Sequence, residues 1–319
     1  MQRPAAPSLA DIGNARARLE GVITRTPLLR LQHDGPQEIY LKLELLQPVG
    51  SFKIRCAANA ILCMPAEDRK RGVTTASAGN FAQGLGYAGR QLGVRVTSVV
   101  PETAAASKLQ ALERLGVRID RRPYAQWWSV LESPEAHGFG GNFIHPFLGT
   151  PVLAGNGTIG LEILDEMNPG TVLVPYGGGG LITGIAAAIK SLAPKVRILA
   201  AESSAGTPVA AALAAGRPTT VPFDSGTFIT GMGSPRVFEP IWNILRPLLD
   251  GSLCASLPSI AAAIRMLVER HHIVAEGAGA APVAAALANK DLPGPVVCII
   301  SGGHLDPKHL TTILMGEVP

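Results

Sequence analysis

Thr171-Val172-Leu173-Val174-Pro175-Tyr176-Gly177-Gly178-Gly179-Gly180-Leu181 sets the architecture, because an uncharged apolar run breaks into four glycines and then into an Ala-rich stretch ending at Leu192. The run from Thr171 to Tyr176 predicts a short buried strand, and the run from Leu181 to Leu192 predicts a helix. The glycines therefore fall at a strand-to-helix turn. Glycine tolerates positive φ and lets a ligand approach the backbone, while the N–H groups of a helix start favour an anion. The turn reads either as a merely tight connection or as a phosphate cradle, and its place between strand and helix favours the cradle.

Further apolar runs from Val94 to Val100, Val117 to Asp120, Val196 to Ala201 and Val296 to Ser301 alternate with Ala-, Leu- and Gly-rich helical stretches. This alternation predicts an α/β protein. The last strand delivers Ser301-Gly302-Gly303-His304 to its C-terminal edge, where ligands of open α/β sheets gather. Upstream, Gly50-Ser51-Phe52-Lys53 leads into the Ala-rich run from Cys56 to Ile61, which puts Lys53 near a helix start. If buried there, its amine would lose its proton more easily and become a nucleophile; the alternative is an ordinary solvated lysine. Thr75-Ala76-Ser77-Ala78-Gly79-Asn80-Phe81-Ala82-Gln83-Gly84 reads as a small-residue loop opening a helix, with bare N–H groups, a hydroxyl and two amides able to hold a carboxylate.

Composition sets limits around these motifs. A chain of 319 residues with 47% hydrophobic and 16% charged residues can bury a sizeable core and is expected to form two domains. Its formal charge of +4 is scattered, with only Arg69-Lys70-Arg71 and Arg121-Arg122 as short basic clusters. Such a surface fits no nucleic-acid partner. Met1 to Glu20 lacks the apolar core of a signal peptide, and no run of about 18 apolar residues occurs, so neither export nor membrane insertion is expected and the location is expected to be cytoplasmic. Cys56, Cys63, Cys254 and Cys298 form no ligand-like cluster and are expected to be buried small apolar residues.

Taken in order, the Lys53 segment, the Thr75 to Gly84 loop, the four glycines and Ser301-Gly302-Gly303-His304 resemble the fold-type II pyridoxal phosphate enzymes, specifically the serine/threonine dehydratase and serine racemase branch. Thr26-Pro27-Leu28, His145-Pro146-Phe147 and Gly155-Asn156-Gly157-Thr158-Ile159-Gly160-Leu161-Glu162 extend the resemblance from about Ala10 to the C-terminus. It implies a tryptophan synthase beta-like fold of two open twisted α/β domains: a large cofactor-binding domain from residues 1–47 and 151–319, and a small mobile substrate domain from residues 48–150. It further implies a homodimer.

The resemblance also implies roles. Lys53 would bind pyridoxal 5'-phosphate through its amine and then act as base on the substrate Cα proton. Phe52 would pack beside the ring, and Asn80 would meet the phenolic oxygen. Gly177, Gly178, Gly179 and Gly180, joined by Leu181, would bind the phosphate, and Ser301 would face the pyridine nitrogen. A hydroxyl there makes the ring a weaker electron sink than a carboxylate would, which suits β-elimination of water from a hydroxy amino acid such as L-threonine or L-serine. Ser77, Ala78, Gly79, Asn80, Phe81 and Gln83 would form the substrate-binding loop.

Departures from the pattern carry expectations of their own. The racemases place a second proton-transferring serine where this chain has Ala78, which favours a dehydratase (ammonia-lyase) over an amino-acid racemase. Phe81 stands in place of a histidine, His304 of an asparagine and Cys56 of a glycine. With Trp127, Trp128 and Phe139, Phe81 suggests room for a bulky β-substituent such as that of phenylserine, although the same aromatics can simply fill a core. The divalent site of relatives begins at Glu202 but meets Pro208 instead of a second acid, so no tight metal site is expected. Glu276 either relays protons near the site or caps the helix after it. Gly231 is expected to line the cofactor.

Overall fold

The computed structural model describes residues 5–139 and 142–319. Its strands are β1 (Leu28–Arg30), β2 (Ile39–Lys42), β3 (Val73–Ala76), β4 (Val96–Pro101), β5 (Arg118–Arg122), β6 (Thr171–Pro175), β7 (Arg197–Ser203), β8 (Gly251–Ala255) and β9 (Val296–Ile299). Six of them form one sheet in the order β1-β2-β9-β6-β7-β8, parallel except where β1 runs antiparallel to β2. The parallel strands β3, β4 and β5 form a second sheet. The α/β class expected from the sequence is what the chain adopts.

Burial on both faces explains why the central strands of the larger sheet are almost wholly apolar. Side chains alternate across a strand: Val172 and Val174 join one core with Val297, Ile299 and Ile198. Leu173, Cys298 and Leu41 stand side by side in register on the other face, in a core completed by the Gly277–Ala288 and Leu257–His271 helices. A third core lies between the smaller sheet and the Lys53–Leu62 and Asn80–Leu92 helices.

The expected strand from Val94 to Val100 runs instead over Val96–Pro101, and that from Val117 to Asp120 over Arg118–Arg122. β5 is an edge strand, so it tolerates the exposed Arg121 and Arg122 that a central strand would not. The cysteine expectation needs correction. Cys56 and Cys298 are buried, but Cys63 and Cys254 are exposed. Cys63 lies just past the end of its helix, and Cys254 lies on β8, the other edge of the larger sheet. No helix among the described residues is long and apolar enough to cross a membrane.

Three adjacent parallel strands, β2, β9 and β6, end on the same edge of the larger sheet. Their continuations are the path to Lys53, the Ser301 turn and the four-glycine turn. β3 delivers the Ser77 to Asn80 loop from the second sheet.

Candidate active site

Lys53 opens the Lys53–Leu62 helix, and the turn before it is stitched to the end of β9. Phe52 N–H donates to the Ser301 carbonyl at 3.0 Å, and Gly303 N–H donates to the Gly50 carbonyl at 3.0 Å. Ser301 is buried, so its hydroxyl and the Lys53 segment belong to one rigid corner. The Lys53 amine donates to the Pro146 carbonyl at 3.0 Å and lies 4.9 Å from the Phe52 ring centre and 5.5 Å from that of Phe81. Burial lowers its pKa; the charges of Cys56 and Glu276 oppose this only partly. Such an amine reaches its neutral, nucleophilic form more readily than a solvated lysine.

Pro146 is held by its neighbour. His145 Nδ1 accepts from the N–H groups of Phe147 and Leu148 at 3.3 and 3.2 Å, which assigns the ring proton to Nε2. Burial, and then the Lys53 charge, push its pKa down to about 3, so the imidazole is neutral.

The four glycines occupy the turn after β6, and Gly179, at φ +85°, caps the Gly180–Leu192 helix. A Cβ at Gly178 would lie 2.5 Å from the Phe147 ring, and one at Gly180 would lie 2.7 Å from the Phe147 carbonyl. Only bare backbone fits there, and the first N–H groups of the helix, Leu181 among them, have no partner within it. The Leu181 side chain itself is buried in the core.

A cavity of ≈ 590 Å³ joins Ser77, Ala78 and Gly79 to Gly177, Gly178 and Pro146, with Trp127, Trp128, Phe147 and Phe238 among its walls. Gly231 packs against this wall, since a Cβ on Gly177 would meet its carbonyl at 3.0 Å. Asn80 begins the Asn80–Leu92 helix, and its Nδ2 donates to both Glu276 oxygens at 3.1 and 3.3 Å. Burial raises the Glu276 pKa to about 7, against the hydrogen bond from Asn80 and the charges of Lys108 and Lys53. Glu276 sits at the N-cap of the Gly277–Ala288 helix, yet its side chain makes no capping hydrogen bond. The Glu276 carboxyl thus faces Asn80 and does not cap its own helix.

The Phe81 ring packs in the core beneath the Lys53 helix, 5.5 Å from the Lys53 amine, and like Lys53, Asn80 and Ser301, neither it nor Gln83 is among the residues lining the cavity. Phe139 lines a different cavity. Phe238 and Arg236 do line the large cavity and carried no local signal, because they come from the irregular segment between the Pro208–Ala215 and Glu239–Leu245 helices.

Glu202 lies near the end of β7. Its oxygens accept from the N–H groups of Val209 and Ala210 at 2.7 and 2.9 Å and from the Ser252 hydroxyl at 2.5 Å, so this acid serves the start of the Pro208–Ala215 helix. Among the described residues, no group of three His, Cys, Asp or Glu side chains is placed to hold a metal.

A buried amine of lowered pKa, an anion cradle at a helix start and a buried hydroxyl at one sheet edge fit an aldehyde cofactor that carries a phosphate. The sequence pattern of the family described as pyridoxal-phosphate dependent enzyme matches residues 19–302. The chain belongs to that family. An L-threonine ammonia-lyase of Thermotoga maritima is 38% identical, over 96% of this chain and 78% of that one. A maize serine racemase structure superposes with a TM-score of 0.87 at 30% identity, covering 96% of each chain. The threonine deaminase of T.th. gives a TM-score of 0.86 at 35% identity, covering 94% of this chain and 99% of that one. The protein is a fold-type II, pyridoxal phosphate-dependent lyase.

Proposed function

We propose that the protein removes water from a β-hydroxy-α-amino acid, breaking the Cα–H and Cβ–O bonds, and that the product hydrolyses to a 2-oxo acid and ammonia. The observation that carries this reading is the Lys53 amine, its pKa lowered by burial, held at the sheet edge that also carries the glycine cradle and Ser301. Pyridoxal phosphate supplies the electron sink that makes the Cα proton acidic. Gly177 to Gly180, with the Leu181 N–H, would hold the phosphate at the helix N-terminus. Ser301 would face the ring nitrogen as a neutral partner, Phe52 would pack beside the ring, and the Asn80 amide would meet the phenolic oxygen. Lys53 takes the Cα proton, and the bare N–H groups and hydroxyl of the Ser77 to Asn80 loop orient the substrate carboxylate.

Ala78 lines the cavity and can exchange no proton, which favours dehydration over racemisation. Closure of the β3-β4-β5 unit, within residues 48–150, over the edge of the larger sheet excludes water during the reaction. A cytoplasmic homodimer completes the proposal.

The substrate's β-substituent lies against Trp127, Trp128, Phe147 and Phe238, which form a wall larger than the methyl group of threonine requires. L-Threonine, the substrate named for the relatives, and the bulkier phenylserine are therefore the two substrates to compare. The test is 2-oxo acid release from the cofactor-loaded protein given threonine, serine and phenylserine as separate stereoisomers, with Lys53→Ala as control. Release that vanishes in the control supports the proposal. Interconversion of enantiomers without 2-oxo acid sinks it in favour of racemisation.

A further inference from the structure

We propose that a buried ion quartet, Lys42, Glu44, Arg55 and Glu162, fixes Lys53 in space, with Arg55 as its positioning residue. This rests on the assignment of Lys53 as the reacting amine.

Arg55 is fully buried two residues beyond Lys53 on the same helix. Two residues turn a helix by about 200°, so Arg55 leaves the side opposite Lys53. Its Nε and Nη2 donate to the two oxygens of Glu44 at 2.7 and 2.8 Å. Its Nη1 and Nη2 donate to the two oxygens of Glu162 at 2.6 and 2.9 Å, and Nη1 also reaches the Thr158 hydroxyl at 3.1 Å. Lys42 Nζ closes the group with bonds of 2.6 Å to Glu162 and to the Thr26 carbonyl.

The four charges sum to zero and come from β2, the turn after it, the Lys53–Leu62 helix and the Thr150–Glu166 helix. The rigid guanidinium fork grips both carboxylates in a fixed plane and so orients the helix that carries it.

The same turn is confined on two sides by glycines. A Cβ on Gly155 would lie 2.6 Å from the Arg55 carbonyl, and one on Gly84 would lie 2.9 Å from the Lys53 carbonyl. Buried ion pairs add little stability over apolar residues of equal volume. What this quartet gives is location, and a reacting group displaced by about 1 Å loses on the order of 100-fold in rate. The clamp also fastens the Lys53–Leu62 helix to β2 and the Thr150–Glu166 helix.

The test compares the wild-type holoenzyme with the paired variant Arg55→Met/Glu44→Gln, which removes one charge of each sign. Four quantities are read: the thermal midpoint, kcat and KM, the pH dependence of the bound cofactor's absorption, and the fraction of Lys53 captured by borohydride reduction in mass spectra. The expected result is a midpoint within a few degrees of wild type, kcat lower by roughly 10- to 100-fold with KM little changed, and a displaced absorption pH profile. An unchanged kcat and profile at a preserved midpoint overturns the proposal and leaves the quartet a purely structural element.

Should the paired variant not fold, Thr158→Val removes the 3.1 Å bond to Arg55 together with the hydroxyl's own 2.7 Å bond to the Gly155 carbonyl within its helix, and leaves all four charges in place. It should lower kcat about two- to fivefold with KM unmoved, and no change overturns the proposal equally. Lys53→Ala separates the two layers, because capture that persists in it would remove Lys53 as the reacting amine whatever the quartet does.

Discussion

Two sets of buried charges flank the first turn of the Lys53–Leu62 helix, and they differ in how fully they are paired. Beneath the turn, Arg55 and Glu162 each meet opposite charges on more than one side. Burial works against both charged forms, yet the partners outweigh it, holding Arg55 above its usual range and Glu162 below. Those groups stay ionised throughout the working pH range. On the cavity side, Lys53 has a carbonyl as its polar partner and Glu276 has the Asn80 amide, so burial wins. Lys53 falls and Glu276 rises to about 7, which brings both proton equilibria toward the working pH. Complete pairing makes charge permanent and positional, whereas incomplete pairing makes it exchangeable and chemical.

Breaking the cavity side at its centre should have the largest effect. Lys53→Ala removes the general base and should lower 2-oxo acid release by at least about 10³-fold, measured in single turnovers with cofactor saturating. Thermal stability should not fall, because a depressed lysine pKa means that burying this amine costs the native state stability below its unfolded pKa. Next in size comes the side beneath the turn. Arg55→Met alone strands Glu44 without a cation and should destabilise the protein by about 3–5 kcal/mol in urea unfolding. Adding Glu44→Gln should recover most of that loss, and failure to recover it would show that the arginine's packing, not its charge, holds the turn.

A pH titration sharpens the contrast. Glu276 has a folded pKa of about 7 against an ordinary 4.5, so between those values the native carboxyl keeps a proton that the unfolded chain has released. Its contribution to stability is full below pH 4.5 and is lost as pH rises through about 7, at most about 3 kcal/mol over the window. Glu276→Gln should flatten that part of the stability profile, as followed by chemical unfolding between pH 4 and 8 (roughly the window in which buried carboxyls titrate). The same substitution in the quartet, at Glu162, should not flatten it, because that carboxyl is held low by Arg55 and Lys42 after burial is overcome.

The sequence exposed the cavity side far better than the side beneath it. Thr171 to Gly180 was legible because strand, glycine turn and helix are contiguous, and Ser301 was legible because it ends an apolar run. Strands β1, β2, β3 and β8 were not. They are three to five residues long and partly polar, too short for periodicity to show. The quartet left no pattern either, since Lys42 and Glu162 are separated by 120 positions and meet only through the fold. Phe81 was expected in the substrate loop, although with Leu85 and Ala88 it follows the i, i+4, i+7 spacing of a core-facing stripe, which is where it lies. Its neighbour Ala78, in the loop before the helix, does reach the cavity.

The smallest expected effect concerns neither set of charges but the apolar wall opposite them. Trp128 is 37% exposed and lies at the cavity's rim, so the fold does not depend on it. Trp128→Ala should leave thermal stability and the kcat for threonine nearly unchanged, because the methyl group of threonine does not extend to the rim. For phenylserine the loss of a facing aromatic surface should lower kcat/KM about 10-fold, the range in which apolar pockets discriminate. The ratio of the two losses carries the information. A uniform fall for both substrates would place Trp128 in the closing of the cleft, whereas a fall confined to phenylserine would make the wall a specificity surface, separate from the charges that hold Lys53 and from those that let it react.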